Sequence, residues 1–178
     1  NFQALEADFT QNADDATALS DEDDVTLLDF TVNSNGIQTL NSTLTFTFNT
    51  DVTNILENFD LQVGGVNIGG AETYPLTGSG TILTVTGFTS VDVTNATMFT
   101  LLADIKAGAT SGNDFTVSLA SSGVNVSPGS AESFTTFTNN VDVSVLEADF
   151  TQNADDATAI ADENDVTLLD FTVNSNGI

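Results

Sequence analysis

Two short acidic clusters carry the most obvious chemistry in the chain. Asp14, Asp15, Asp21, Glu22, Asp23 and Asp24 lie close together, and Asp155, Asp156, Asp162, Glu163 and Asp165 stand at corresponding places later in the sequence. Calcium takes about six to eight oxygen ligands from carboxylates, carbonyls and water. Carboxylates gathered this densely must bind cations or repel one another. Calcium is therefore the expected ligand of these residues, with a solvated acidic hinge as the alternative. Asp23 is replaced by Asn164 in the later cluster, and Asn also supplies an oxygen. An EF-hand is not the source of the signal: its Asp-x-Asp-x-Asp-Gly opening and closing Glu are missing.

Other chemistry is scarce. With no His and no Cys, structural zinc sites, haem ligation through those residues, thiol chemistry and His-based catalysis are excluded. Lys106 is the one basic residue against 26 Asp and Glu, for a formal charge of −25. That charge repels nucleic acid and anionic lipid and attracts hard divalent cations. In some extracellular sandwiches a buried Lys forms an isopeptide bond to Asn or Asp beside a carboxylic acid; an ordinary surface ion pair in the Lys106-Ala107-Gly108 turn is the plainer expectation. Asn41-Ser42-Thr43 and Asn95-Ala96-Thr97 match the N-glycosylation acceptor, and chance matches are common in a chain rich in Asn and Thr. No G-x-S-x-G elbow, phosphate-binding loop or dinucleotide fingerprint is present. The acids sit in linkers and turns, not in the convergent pairs of a glycosidase. An enzyme is not expected.

The elements that hold the acidic clusters are themselves duplicated. Residues 5–37 read LEADFTQNADDATALSDEDDVTLLDFTVNSNGI, and residues 146–178 read LEADFTQNADDATAIADENDVTLLDFTVNSNGI. The offset is 141 residues, and three positions differ: Leu19/Ile160, Ser20/Ala161 and Asp23/Asn164. A period of 141 residues is too long for a solenoid and has the size of an independent domain. The expected arrangement is a tandem array of beads. Two explanations fit the partial second copy: a window on a longer array, which is favoured, or terminal strands that complete a neighbouring molecule.

Between the copies, apolar and polar residues alternate at the strand period. Val25 to Val32, Leu40 to Phe48, Phe59 to Val63, Gly80 to Phe88, Met98 to Ile105, Phe115 to Leu119 and Phe134 to Phe150 read as strands, with short ones near Val66 and Tyr74. Asp51 to Asn58 reads as one helical turn. Many short strands separated by Gly and Asn turns predict an all-β chain folded as a β-sandwich, with an up-and-down barrel as runner-up. Polar gaps set the expected boundaries: 1–11 as the closing strand of a preceding repeat, 12–24 as an acidic linker, 25–152 as the sandwich, 153–165 as a second linker, and 166–178 as the opening strand of the next repeat. No apolar run approaches the roughly 20 residues of a membrane-spanning helix. A first residue other than Met fits a mature secreted chain or a fragment of a longer one.

DVTLLDFTVNSNG, FDLQVGG, GTILTVTGF and FTLLADIKAGATSGNDFTVSLASS, in that order, resemble the immunoglobulin-like β-sandwich repeats of large bacterial extracellular surface and filament proteins. The resemblance covers most of the repeat. It implies an immunoglobulin-like sandwich in a tandem array, an extracellular or cell-surface location, and a structural role in fibres, stalks or surface layers. It carries no catalytic residues. Related repeat adhesins hold calcium at acidic interdomain linkers, which by position implies calcium here. The expected partners are further copies of the chain in a homopolymeric fibre or array, without nucleic acid or membrane insertion. The alternative is an adhesin repeat binding glycans or partner cells. Against that, Trp is absent and Tyr74 is the single Tyr, so platforms for stacking sugars are few.

Overall fold

The computed structural model describes residues 4–15, 17–41, 43–68, 74–88, 90–93, 95–131, 134–145, 147–153 and 166–175. They fall into two compact units, Asn1–Ser144 and Val145–Ile178. Within the larger unit one sheet has the order Ser130–Ala131 (β14), Glu6–Gln11 (β1), Val25–Ser34 (β3), Thr97–Ile105 (β11), Leu56–Val63 (β6), Val66–Asn67 (β7). A second has the order Thr17–Leu19 (β2), Phe137–Ser144 (β15), Phe115–Leu119 (β12), Thr43–Phe48 (β5), Ile82–Thr86 (β9), Leu76–Thr77 (β8). Three short strands, Val91–Asp92 (β10), Thr39–Leu40 (β4) and Val126–Ser127 (β13), form a small third sheet. The smaller unit is one antiparallel pair, Ala148–Gln152 (β16) and Phe171–Ser175 (β17).

The two large sheets share one core because each offers it every second residue. Leu44, Phe46 and Phe48 of β5 are buried, as are Phe115, Val117 and Leu119 of β12, and the residues between them point outward. Phenylalanines bridge the layers. Phe30 of β3 stacks on Phe99 of β11 at 5.2 Å and meets Phe137 of β15, while Phe48 of β5 meets Phe59 of β6. Burying each such ring stabilises the fold by about 1.5–3 kcal/mol. Alternation fails at Leu27 and Leu28, which are both buried. The β3–β11 register shifts between Leu101 and Leu102, opposite that pair. Such a bulge turns two successive side chains to the same side. The helical turn expected at 51–58 exists in small form: the Val52 carbonyl accepts from the amides of Ile55 and Leu56, and β6 starts there.

The first strand changes sheets. β1 runs antiparallel to β3, then Asn12 and Asp15 continue along it through bonds to the carbonyls of Asp29 and Thr26. β2 next joins the other sheet, parallel to β15, with Thr17 opposite Asp142 and Leu19 opposite Ser144. First and last strands therefore run side by side in one direction. The chain enters at one pole, where the Ser130 amide donates to the Leu5 carbonyl, and β15 ends at the other, where the Ser20 amide donates to the Ser144 carbonyl.

These placements differ from boundaries drawn by polarity. Residues 6–11, expected in a preceding repeat, pair within this unit, and residues 17–19 of the expected 12–24 linker are an edge strand of it. An edge strand needs few inward side chains: Ala18 is the buried one in β2. A stretch so polar reads as a linker although it is paired. Conversely, 148–152, expected inside the 25–152 bead, pair with 171–175 in the smaller unit.

Candidate functional site: the duplicated junction

The acids of the first copy divide between two places. Asp14 and Asp15 lie where the strand crosses between sheets, and their carboxylates accept from backbone amides. Asp14 Oδ1 takes the Asp29 N–H and its Oδ2 takes Gln11 Nε2 at 2.9 Å, while Asp15 Oδ2 takes the Thr26 N–H at 2.9 Å. Desolvation of the half-buried Asp14 carboxyl raises its pKa above the ordinary 3.8, outweighing these hydrogen bonds. Asp21, Glu22, Asp23 and Asp24 form the exposed β2–β3 turn. Asp21 and Asp24 adopt φ of 64° and 56°, the left-handed region that short polar residues tolerate. Glu22 Oε2 caps the Leu19 amide at 2.6 Å, and the Asp24 amide donates to Asp104 Oδ1 at 2.9 Å.

Among the described residues no group of three or more acids converges as a metal cage would require. The carboxylates of Asp14, Asp15 and Glu22 are placed as acceptors for turn and strand amides, a role such side chains serve well. Asp155, Asp156, Asp162, Glu163 and Asp165 lie outside the described residues.

The polar groups around this junction repeat where both copies are described. In the first, Asn12 Nδ2 donates to Thr31 Oγ1 at 3.1 Å, Thr31 Oγ1 donates to Asn12 Oδ1, and the Asn12 amide bonds the Asp29 carbonyl. In the second, Asn153 Nδ2 donates to Thr172 Oγ1 at 3.2 Å, Thr172 Oγ1 donates to Asn153 Oδ1, and the Asn153 amide bonds the Asp170 carbonyl. The strand pairing is the same as well. Ala7 faces Ser34 through Gln11 facing Phe30, and Ala148 faces Ser175 through Gln152 facing Phe171.

Burial is what separates them. Phe150 is 70 % exposed where Phe9 is 8 %, Leu168 is 86 % where Leu27 is 0 %, and Leu169 is 65 % where Leu28 is 0 %. Phe171 is 51 % exposed where Phe30 is 0 %, and Val173 is 48 % where Val32 is 0 %.

One important residue lies just past the first copy and gave no signal in the sequence. Gln38 is fully buried. Its Nε2 donates to the Pro128 carbonyl at 2.8 Å, and its Oε1 accepts from Ser34 Oγ. It ties the end of β3 to the chain leading into β14. Gly129 passes so close that a Cβ there would meet Gln38 Nε2 at 2.7 Å and the Leu5 carbonyl at 2.5 Å. Its φ of 96° also belongs to glycine.

Elsewhere, Lys106 Nζ donates to the Thr53 carbonyl at 2.7 Å in a solvent-exposed setting. That is a capped turn and differs from the buried Lys, amide and acid that an isopeptide needs. Lys106 lines a groove of about 360 Å³ with Glu57, Asn58, Phe59, Tyr74 and Leu76. Of the two glycosylation acceptors, Asn95 is exposed and Asn41 is half-buried with its amide on the Asn125 carbonyl. No helix among the described residues is long and apolar enough to cross a membrane. No family model matches the chain, and no curated protein matches it.

Proposed function

We propose that the chain is a non-catalytic structural module of an extracellular tandem array, in which each sandwich is a rigid bead threaded in line with the next. The observation that carries this reading is the parallel pairing of β2 with β15. A bead whose first and last strands are parallel neighbours receives the chain at one pole and releases it at the other. The second copy of the junction begins directly after β15 in the sequence, so an array of such beads runs from the exit of one into the entry of the next. The sheet orders support the finer assignment to an immunoglobulin-like sandwich. β1–β3–β11–β6 and β15–β12–β5 follow the A-B-E-D and G-F-C orders of that fold. The departure is β9, which pairs with β5 although it follows β6 in the chain. The test is to express chains of one, two and three full repeats and measure maximum dimension by small-angle scattering. Equal increments per repeat are expected; a maximum dimension growing much more slowly than repeat number overturns the array.

A second reading, glycan binding, is favoured by one feature. The groove beside Lys106 gathers the single Tyr and the single basic residue with Phe59, Glu57 and Asn58. A ring face with polar neighbours is the usual make-up of a sugar contact. A glycan-array signal abolished by Tyr74→Ala would move this reading to first place.

A further inference from the structure

We propose that the outer face of the sheet β2–β15–β12–β5–β9–β8 is a contact surface for a second copy of this chain, so that beads associate side by side. The inference goes beyond the array reading, which concerns beads joined end to end, and does not depend on it.

The acids are divided unequally between the two large sheets. Among the described residues, the strands of one carry six: Glu6 and Asp8 on β1, Asp29 on β3, Asp104 on β11, and Glu57 and Asp60 on β6. The strands of the other carry one, Asp142 on β15. That acid lies at one end of its sheet, beside Asp114, whose Oδ1 accepts from the Val143 amide at 3.0 Å. The rest of the face is hydroxyl and amide in register. Thr43 faces Thr86 and Thr45 faces Thr84 across β5 and β9, and Thr47 faces Ser118 of β12. Farther along, Thr116 Oγ1 donates to Asn140 Oδ1 at 2.7 Å, and Ser118 Oγ and Thr138 Oγ1 lie 3.5 Å apart.

This distribution selects the occupant. Two chains of charge −25 repel wherever their acidic surfaces meet. Their closest approach is favoured where both are uncharged, and the centres of protein interfaces are likewise depleted in charge. Covering the face leaves the side-chain bonds between β12 and β15 intact and takes threonine methyl groups out of water. A cationic partner is drawn to the acidic sheet instead. A sugar finds no outward aromatic ring on these strands to stack on. A second copy meets the same neutral surface, related by a two-fold axis.

The area sets the strength. The four central strands, β15, β12, β5 and β9, spaced about 4.8 Å apart and about five residues long, make a patch of roughly 300 Å² in projection. A stable complex buries about 800 Å² per partner. One bead therefore binds weakly, and tandem beads strengthen the contact by multivalency.

The test is sedimentation of the full chain across concentration and salt. Association is expected to grow with sodium chloride, as the Debye length falls from about 10 Å at 0.1 M to about 3 Å at 1 M. Thr45→Asp, in the middle of the face, should weaken it about tenfold. Thr10→Asp adds the same charge to the exposed side of the other sheet and should change it less than about twofold. Circular dichroism checks that both variants fold. An equimolar mixture of Thr45→Asp and Thr45→Lys should associate more tightly than either variant alone. Monomers under every condition, equal effects of Thr45→Asp and Thr10→Asp, or a mixture no tighter than its components each overturn the proposal. Monomers retained on a neutral polysaccharide through Thr45 assign the face to a sugar and also overturn it. Association through this face, together with repeat chains that fail to extend in scattering, would sink the array and keep the contact.

Discussion

Residues 5–37 and 146–178 are nearly the same peptide in two surroundings. What they share and what they do not separates local from tertiary determinants. Strand pairing, the Asn–Thr clamp and the Asn-to-Asp carbonyl bond appear in both copies. They are properties of the peptide itself, since polar side chains facing across a hairpin select its register. Burial of the apolar face appears in one copy alone. It needs β11 and the opposite sheet, which come from residues 38–144. An isolated two-stranded hairpin is marginal in water, so the first copy draws most of its stability from the bead that receives it.

The sharpest way to break this comparison is one substitution made twice. Phe30→Ala removes a fully buried ring that stacks on Phe99. It should destabilise the larger unit by about 3–5 kcal/mol. Phe171→Ala removes the equivalent ring from an exposed position and should change that unit by less than about 0.5 kcal/mol. Urea denaturation of the two variants checks both values. Equal losses would mean that the second copy is covered in solution and that the contrast is false.

Gln38 lies immediately after the first copy and holds the end of β3 against the chain leading into β14. Gln38→Leu strips partners from the Pro128 carbonyl and Ser34 Oγ. Ser34 Oγ keeps the Glu6 carbonyl and the Gly36 amide, so the loss falls on the Pro128 carbonyl and should cost about 1–3 kcal/mol, seen as a lower urea midpoint at unchanged slope. Loss confined to the smaller unit would contradict its role at the entry pole.

How much of this was readable beforehand follows the same division. The duplicated peptide and the strand alternation in Thr43–Phe48 and Phe115–Leu119 are local, and they predicted an all-β chain and its principal strands. The bead boundary was not readable. Pairing of 17–19 with 142–144 spans more than a hundred residues and is carried by backbone bonds and one buried Ala, which leave no apolar pattern. Gln38 was invisible because a buried amide looks like any polar loop residue. The acidic segment was visible as composition, but its geometry depends on which backbone amides fold against it.

Those acids make a further test. If the first-copy carboxylates serve only as amide acceptors, salt should act on the −25 chain by screening. Sodium and calcium chlorides at matched ionic strength should then raise the melting temperature by similar amounts of a few degrees. A separate calcium step, complete near stoichiometric metal and reversed by chelator, would identify the junction as a calcium site.

The smallest expected effect concerns Asp14, where packing the junction against the bead acts on a charge. Desolvation raises its folded pKa above 3.8, so the folded state holds a proton more tightly than the unfolded one. Its contribution is most favourable below pH 3.8 and is lost as pH rises through the folded value. Asp51 has the opposite sign: hydrogen bonds from Thr53 lower its pKa, so its contribution is present above 3.8 and fades as pH falls through the folded value. Asp14→Asn removes the first dependence and leaves the second. The Asp29 amide keeps an acceptor in the new amide oxygen, and Gln11 Nε2 keeps the Thr138 carbonyl. The variant should therefore stay within about 1 kcal/mol of the parent at neutral pH, while losing the fall in stability just above pH 3.8. Urea midpoints measured across that range decide it. An unchanged slope in Asp14→Asn would show that Asp14 is solvated, and that the first copy sits less tightly on its bead than its buried rings imply.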